Sequence, residues 1–183
     1  MKITIAFLKI LLLNCMILLL MRCGSSQAGQ ESTTKYMEQY VCTPCGDDCD
    51  KKIYNKPGKC PRCQMLLVKK STVIFKSIQP SEICSYINEH PGIVLLDVRT
   101  KEEFEGKANP NFGTLRNAIN IPIQELETRL SNISSLKEKE IIVYCSHSHR
   151  SPRASYILNQ NGFTKVINMD GGMSMMSDSS CKK

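Results

Sequence analysis

"EIIVYCSHSHRSPRASYILNQNG", residues 140–162, changes character twice. Glu140 to Cys145 is a short apolar run and reads as a buried strand. Ser146 to Arg150 is polar and reads as a loop. From Ser151 the pattern is helical and stops at Gly162. A strand that feeds a helix through a short loop is the repeating unit of a parallel sheet. Cys145 then stands at the carboxyl end of a strand, where open α/β sheets bind their ligands. The loop after it, Ser146, His147, Ser148, His149 and Arg150, leads into the helix opened by Ser151. Backbone N–H groups at such a junction point at whatever the cysteine carries, and the helix dipole favours negative charge there. That field favours a thiolate. Arg150 adds a planar cationic fork for a bound anion. Cysteine, amide nest and arginine together suit two chemistries, sulfur transfer and phosphoryl transfer.

The same alternation runs outward from this stretch. Strands are expected at 71–78, 92–98, 117–122, 140–145 and 165–169. Helices are expected at 80–90, with Ser81 as N-cap, at 100–106 from Thr100, at 123–133 and at 151–162. The 123–133 stretch carries Ile123, Leu126 and Leu130 on one side. Strands that alternate with helices predict an α/β fold, a five-stranded parallel sheet with helices on both faces.

"LLDVRTKEEF", "GTLRNAINIP", "IIVYCSHSHRS" and the final Gly-Gly, in this order and spacing, resemble a rhodanese domain over roughly 100 residues. The resemblance implies a sulfurtransferase. Cys145 would take a sulfane sulfur as a persulfide from a small anionic donor and hand it to a thiol or cyanide acceptor, with Arg150 and the loop amides stabilising the anions. It makes Asp97 and Arg99 braces of the loop. Cys145 and Arg150 enclose four residues, the sulfur-transfer register. Related phosphatases and arsenate reductases of this fold use one residue more, so that reading ranks lower. Three features depart from the family. Ser148 stands where glycine is usual, and a positive φ there would strain the loop. The tryptophan after Gly-Gly is missing. The link 106–115 is longer than usual. A non-catalytic sulfur-carrier or docking protein on the same fold is therefore the alternative. His147 and His149 read as solvated polar residues or as proton donors. Cys84 reads as packing, and Cys181 as a bystander in a polar tail, 178–183.

A second cysteine group precedes this domain. Of ten cysteines, five fall between positions 42 and 63. Cys42 and Cys45 form one CxxC pair, and Cys60 and Cys63 a second, fourteen residues on. Two such turns complete a tetrahedral thiolate site for zinc or another thiophilic metal. So short a segment buries little core, and a metal would supply its folding energy. Residues 39–70 also resemble the short heavy-metal-binding domain of metal-efflux proteins, with Tyr40, Cys42, Pro57, Gly58, Cys60, Pro61, Cys63, Met65 and Leu67 matching and Gln64 in place of the usual glycine. Two disulfides or a redox dithiol are the competing readings, and Cys49, the fifth thiol, reads as a spare, an alternate ligand or a redox site.

The N-terminus is an address. Lys2 and Lys9 precede an apolar run of about a dozen residues, short for a spanning helix and the length of a signal-peptide core. Leu20 to Ser26 resembles a lipoprotein cleavage box in which Cys23 is acylated, although Arg22 departs from it. Cleavage before Gly29 and an uncleaved anchor are the rivals. The expected layout is a signal peptide over 1–22, a flexible tether over 23–38, the cysteine module over 39–70 and the α/β domain over 71–177. The expected location is the bacterial cell envelope, as a lipoprotein held to the membrane and facing the periplasm. Net charge is +7, with three of the positive residues in the first 22 and the rest scattered among acids. No nucleic-acid partner is expected.

Overall fold

A computed structural model of the protein describes residues 37–183. The signal-type segment 1–22, Cys23 and the tether up to residue 36 lie outside the described residues. The main sheet has five strands: β3 (Lys76–Ile78), β4 (Val94–Asp97), β5 (Ile119–Asn120), β6 (Glu140–Tyr144) and β7 (Lys165–Met169). They lie in the order β3-β7-β6-β4-β5, every pair parallel. The strand that carries Cys145 at its end is thus the central one.

Alternation along β6 explains why it reads as a continuous apolar run. Ile142 and Tyr144 face one core with Leu95, Ile167 and Met169. Ile141 and Val143 face the other with Leu96 and Val166. Helix α1 (Ile83–Glu89) covers the first face. Helices α3 (Ile123–Leu126) and α4 (Ser151–Gln160) cover the second with Leu126, Ala154 and Leu158. Burying each such aliphatic side chain stabilises the fold by about 1.5–3 kcal/mol. The five-stranded parallel sheet with helices on both faces is therefore the observed architecture.

Several elements are shorter than expected. Of 71–78 only Lys76–Ile78 pairs, and residues 70–72 form a single 3₁₀ turn. Helix α1 is entered through a 3₁₀ turn at Pro80–Glu82, capped by Gln79 and Glu82 instead of Ser81. Past Leu126 the 123–133 helix becomes a 3₁₀ stretch, Glu127–Leu136, broken at Ile133. Ser131, Asn132, Ser134 and Ser135 fall there, and such side chains compete with the helical backbone. Helix α2 (Lys101–Phe104) starts where expected, with Thr100 and Glu103 forming a capping box.

The cysteine module is a two-stranded antiparallel ribbon, β1 (Tyr40–Cys42) and β2 (Leu67–Lys69), with a 3₁₀ turn at Asp48–Lys51. Residues Met37–Lys183 form one compact unit.

The C-terminal residues are not a loose tail. The Arg116 amide donates to the Cys181 carbonyl, and the Lys183 amide to the Thr114 carbonyl. Cys181 is buried and disulfide-bonded to Cys84. This corrects both readings: Cys84 is not a packing thiol and Cys181 is not a bystander. The bond ties α1 to the C-terminus across 97 residues of sequence. Closing a loop of that size limits the unfolded chain and is worth about 4.7 kcal/mol in the chain-entropy account.

Candidate active site and thiol cluster

Cys145 is fully buried at the end of β6, with its Sγ 3.5 Å from Ser151 Oγ at the start of α4. The loop is held by its carbonyls. Cys145 O accepts from the Met173 amide at 2.8 Å, and Ser146 O from the Ser174 amide at 2.9 Å. That approach requires glycine at 172: a Cβ there would meet Cys145 O and Ser146 O, each at 2.6 Å, and the backbone sits at φ +67. The N–H groups of Ser146 to Arg150, by contrast, donate to no carbonyl among the described residues. A loop with its first carbonyls taken and its amides free is built to receive an anion.

Ser148 sits at φ +62, so the strain expected from a non-glycine residue is present in the structure. Gln64, the other residue found where glycine was expected, also has positive φ, +61. His147 and His149 are both solvent-exposed. The His147 ring packs edge-on against Phe112, with ring centres 5.2 Å apart, so the long 106–115 link reaches the active loop.

Arg150 is not a free fork. Its NH1 donates to Glu103 Oε2 at 2.6 Å and its NH2 to Oε1 at 2.8 Å. Ser146 Oγ donates to the same carboxylate at 2.6 Å and receives Arg150 NH2 at 3.2 Å. Glu103 therefore ties the first and last polar residues of the loop to the N-terminus of α2. Arg150 is first a clamp, and the donors open to an anion are backbone amides. Sequence reading missed Glu103. Its signal was present in the T-x-x-E capping box, where the carboxylate also accepts from the Thr100 amide at 2.9 Å.

Asp97 and Arg99 form a fully buried ion pair, 2.7 Å between Arg99 NH2 and Asp97 Oδ2. Arg99 NH2 also donates to Gly113 O and Thr114 Oγ1 at 2.9 and 3.1 Å, and the guanidinium lies 5.7 Å from the centre of the Tyr144 ring. The pair fixes the 106–115 link against the strand that ends in Cys145.

In the module, the thiols of Cys42, Cys45, Cys49 and Cys63 all lie within 4.8 Å of one another. Sγ separations are 3.2 Å for Cys42–Cys63, 3.4 Å for Cys45–Cys49 and 3.9 Å for Cys49–Cys63. The expected ligand set contained Cys60 and left Cys49 spare. In the structure the 3₁₀ turn at Asp48–Lys51 swings Cys49 into the group. Cys60 is buried beside it, 4.0 Å from Tyr54 Oη. Burial pushes the Cys42, Cys45 and Cys49 thiols up, whereas the Cys63 backbone amide holds the Cys60 thiol down to about 6. Four convergent soft donors at this spacing suit a thiophilic cation, and the cluster could hold zinc.

The architecture and the loop define a class: an open parallel α/β sheet whose central strand ends in a cysteine, six residues of loop closing on an arginine. The Rhodanese-like domain profile matches residues 81–178, and the chain belongs to that family. The Bacillus subtilis protein YqhL is 40% identical over 78 residues, 43% of this chain and 56% of that protein. A probable molybdopterin-synthase adenylyltransferase of Porphyra purpurea is 32% identical over 123 residues, 67% of this chain and 30% of that protein. The chain thus spans about half the length of the first relative and less than a third of the second. A crystal structure of a Staphylococcus saprophyticus protein shares the fold, with a TM-score of 0.50 at 24% identity, covering 60% of this chain and 100% of that one.

Arg150 beside it lowers the Glu103 carboxyl from its ordinary 4.5 to about 2. A depressed carboxyl stabilises the fold fully above its unfolded value and loses that contribution as pH falls through the folded one. Glu103→Gln is therefore expected to cost about 2–3 kcal/mol at neutral pH, because it breaks a half-buried pair. The gap between variant and parent should shrink as pH falls from about 4.5 towards 2. Urea denaturation at a series of pH values measures it, and a gap unchanged at pH 3 would contradict the clamp.

Proposed function

We propose that the protein is an exported sulfurtransferase acting through Cys145. The observation that carries this reading is the loop itself: a cysteine at the end of the central strand, followed by five residues whose amides donate to no carbonyl among the described residues. In the first step the Cys145 thiolate attacks the sulfane sulfur of thiosulfate or a polysulfide. A new S–S bond forms on Cys145, the donor's S–S bond breaks, and sulfite or the shortened polysulfide leaves with the electron pair. In the second step cyanide or a thiolate attacks the outer sulfur, giving thiocyanate or a new persulfide and regenerating the Cys145 thiolate. No net redox change occurs. Loop amides stabilise the negative charge on the persulfide, and Glu103 with Arg150 holds them in place. The register from Cys145 to Arg150 favours a two-atom sulfur anion over the wider ring of a phosphatase loop.

Two further parts belong to this reading. Cys42, Cys45, Cys49 and Cys63 would hold zinc, which would supply folding energy to a module with little core of its own. Cys23 would carry the lipid that holds the chain at the envelope membrane, a proposal supported by the sequence around it.

Intact-mass analysis after thiosulfate treatment should show one added sulfur on the wild type and none on Cys145→Ala. Transfer to cyanide should fall to the solution background in the variant. Equal activity in the two proteins would end the catalytic reading. Protein prepared without chelator should contain one equivalent of zinc, and Cys49→Ser should weaken its retention by roughly tenfold or more; metal-free wild type would refute the site. The mature N-terminus decides the anchor: a diacylated Cys23 is expected, and a free Gly29 amine rules it out.

A further inference from the structure

The Cys45–Gly46 turn touches both sulfur sites at once. On one side Cys45 belongs to the four-thiol group. Asp50 fixes the turn: its Oδ2 accepts from the Cys45 amide at 2.8 Å and from the Gly46 amide at 2.7 Å. On the other side Gly46, at φ +78, lies against the backbone of the active loop. A Cβ on it would run into the Ser148 carbonyl and come within 3.1 Å of His149 Cα. No N–H among the described residues donates to the Ser148 carbonyl. The module thus covers the loop at its one positive-φ residue. A cleft of about 500 Å³ follows the seam, with Gly46 and Asp47 on one wall and His147, Ser148 and Pro152 on the other.

We propose that Gly46 is a positioning residue for the sulfur-transfer loop. The turn clamps Ser148 in its strained conformation, and so keeps the loop amides aimed at the sulfur anion. A cation on the thiols, by fixing Cys45, fixes the clamp. The inference rests on the sulfur-transfer reading of Cys145. Its physical logic is that a side chain forced into positive φ persists only where its surroundings over-determine it. Glu103 and the Met173 and Ser174 amides hold the loop at Cys145, Ser146 and Arg150. Its middle is met by the Phe112 ring at His147 and by the module at Ser148.

The full chain, loaded with Co²⁺ as the probe, gives three readouts. Cobalt–thiolate absorption reports the module, hydrogen exchange at residues 146–150 reports the loop, and the rate of Cys145 persulfidation by thiosulfate reports the chemistry. Gly46→Ala should keep cobalt affinity within about threefold, speed loop exchange, and slow persulfidation by about tenfold or more, because small misplacements of oriented groups are costly. Lys56→Ala, at an exposed position of the same module, should leave all three unchanged. In the wild type, removing Co²⁺ should speed loop exchange. Wild-type exchange and persulfidation in Gly46→Ala would overturn the proposal. So would loop exchange in the wild type that ignores cobalt, a result that stands even if Gly46→Ala damages the module. Wild type that never forms the persulfide would instead overturn the sulfur-transfer reading and leave the exchange result to judge the clamp.

Discussion

A row of backbone N–H groups that donates to no carbonyl among the described residues has to be held by everything around it. That constraint organises this structure. Unpaired amides near a buried position cost free energy, and they persist here because the loop's other groups are tied down. Its first carbonyls are taken by Met173 and Ser174. Its end residues are tied to one carboxylate, Glu103. Gly172 packs so closely beneath it that no side chain fits. Remove these supports and the loop could turn its amides toward water or toward its own carbonyls, and the anion nest would be lost.

The supports are themselves anchored in the sheet. The Asp97–Arg99 pair is buried at the end of β4, beside the strand that delivers Cys145. A charge pair with no exposure is weak evidence of stability by itself. Its geometry argues for specificity instead. Asn120 adds to it from the edge strand, donating to the Asp97 and Arg99 carbonyls at 3.0 Å each. The guanidinium reaches Gly113 and Thr114, and the Thr114 carbonyl in turn accepts from the Lys183 amide at the C-terminus. Phe112 on the same link meets His147. One buried arginine therefore connects the central strands, the long link and the C-terminus that the Cys84–Cys181 bond fastens.

How much of this was legible in the sequence follows from the range of each interaction. The central strand, its loop and α4 are contiguous, and their patterning was enough to place Cys145. Thr100 was legible for the same reason, since a capping box spans four residues. The partner of Arg150 was not, because Glu103 lies 47 residues away in the chain. The Cys84–Cys181 bond had no signal, since neither residue sits in a spaced motif. Cys49 was legible only as an alternate ligand because the two CxxC pairs already supplied four, and only the 3₁₀ turn at Asp48–Lys51 shows it closing on Cys63. The 123–133 helix failed on local chemistry, where serine and asparagine outcompeted an amphipathic pattern.

Ser148 and Gln64 show what the two sulfur sites share. Each is a residue with a side chain held at φ near +60, in a turn next to sulfur. For an ordinary residue that conformation costs about 1–2 kcal/mol, and glycine would remove the cost. Retaining side chains at both turns means that neighbouring contacts supply the difference. For Gln64 those contacts are local: its amide donates to Cys60 O at 2.9 Å, and its side chain to Pro61 O at 3.3 Å. For Ser148 the contact comes from another part of the chain, the Gly46 turn. Where glycine could have relaxed the active loop alone, this chain places the glycine across the seam. The loop's shape then depends on the module being folded against it.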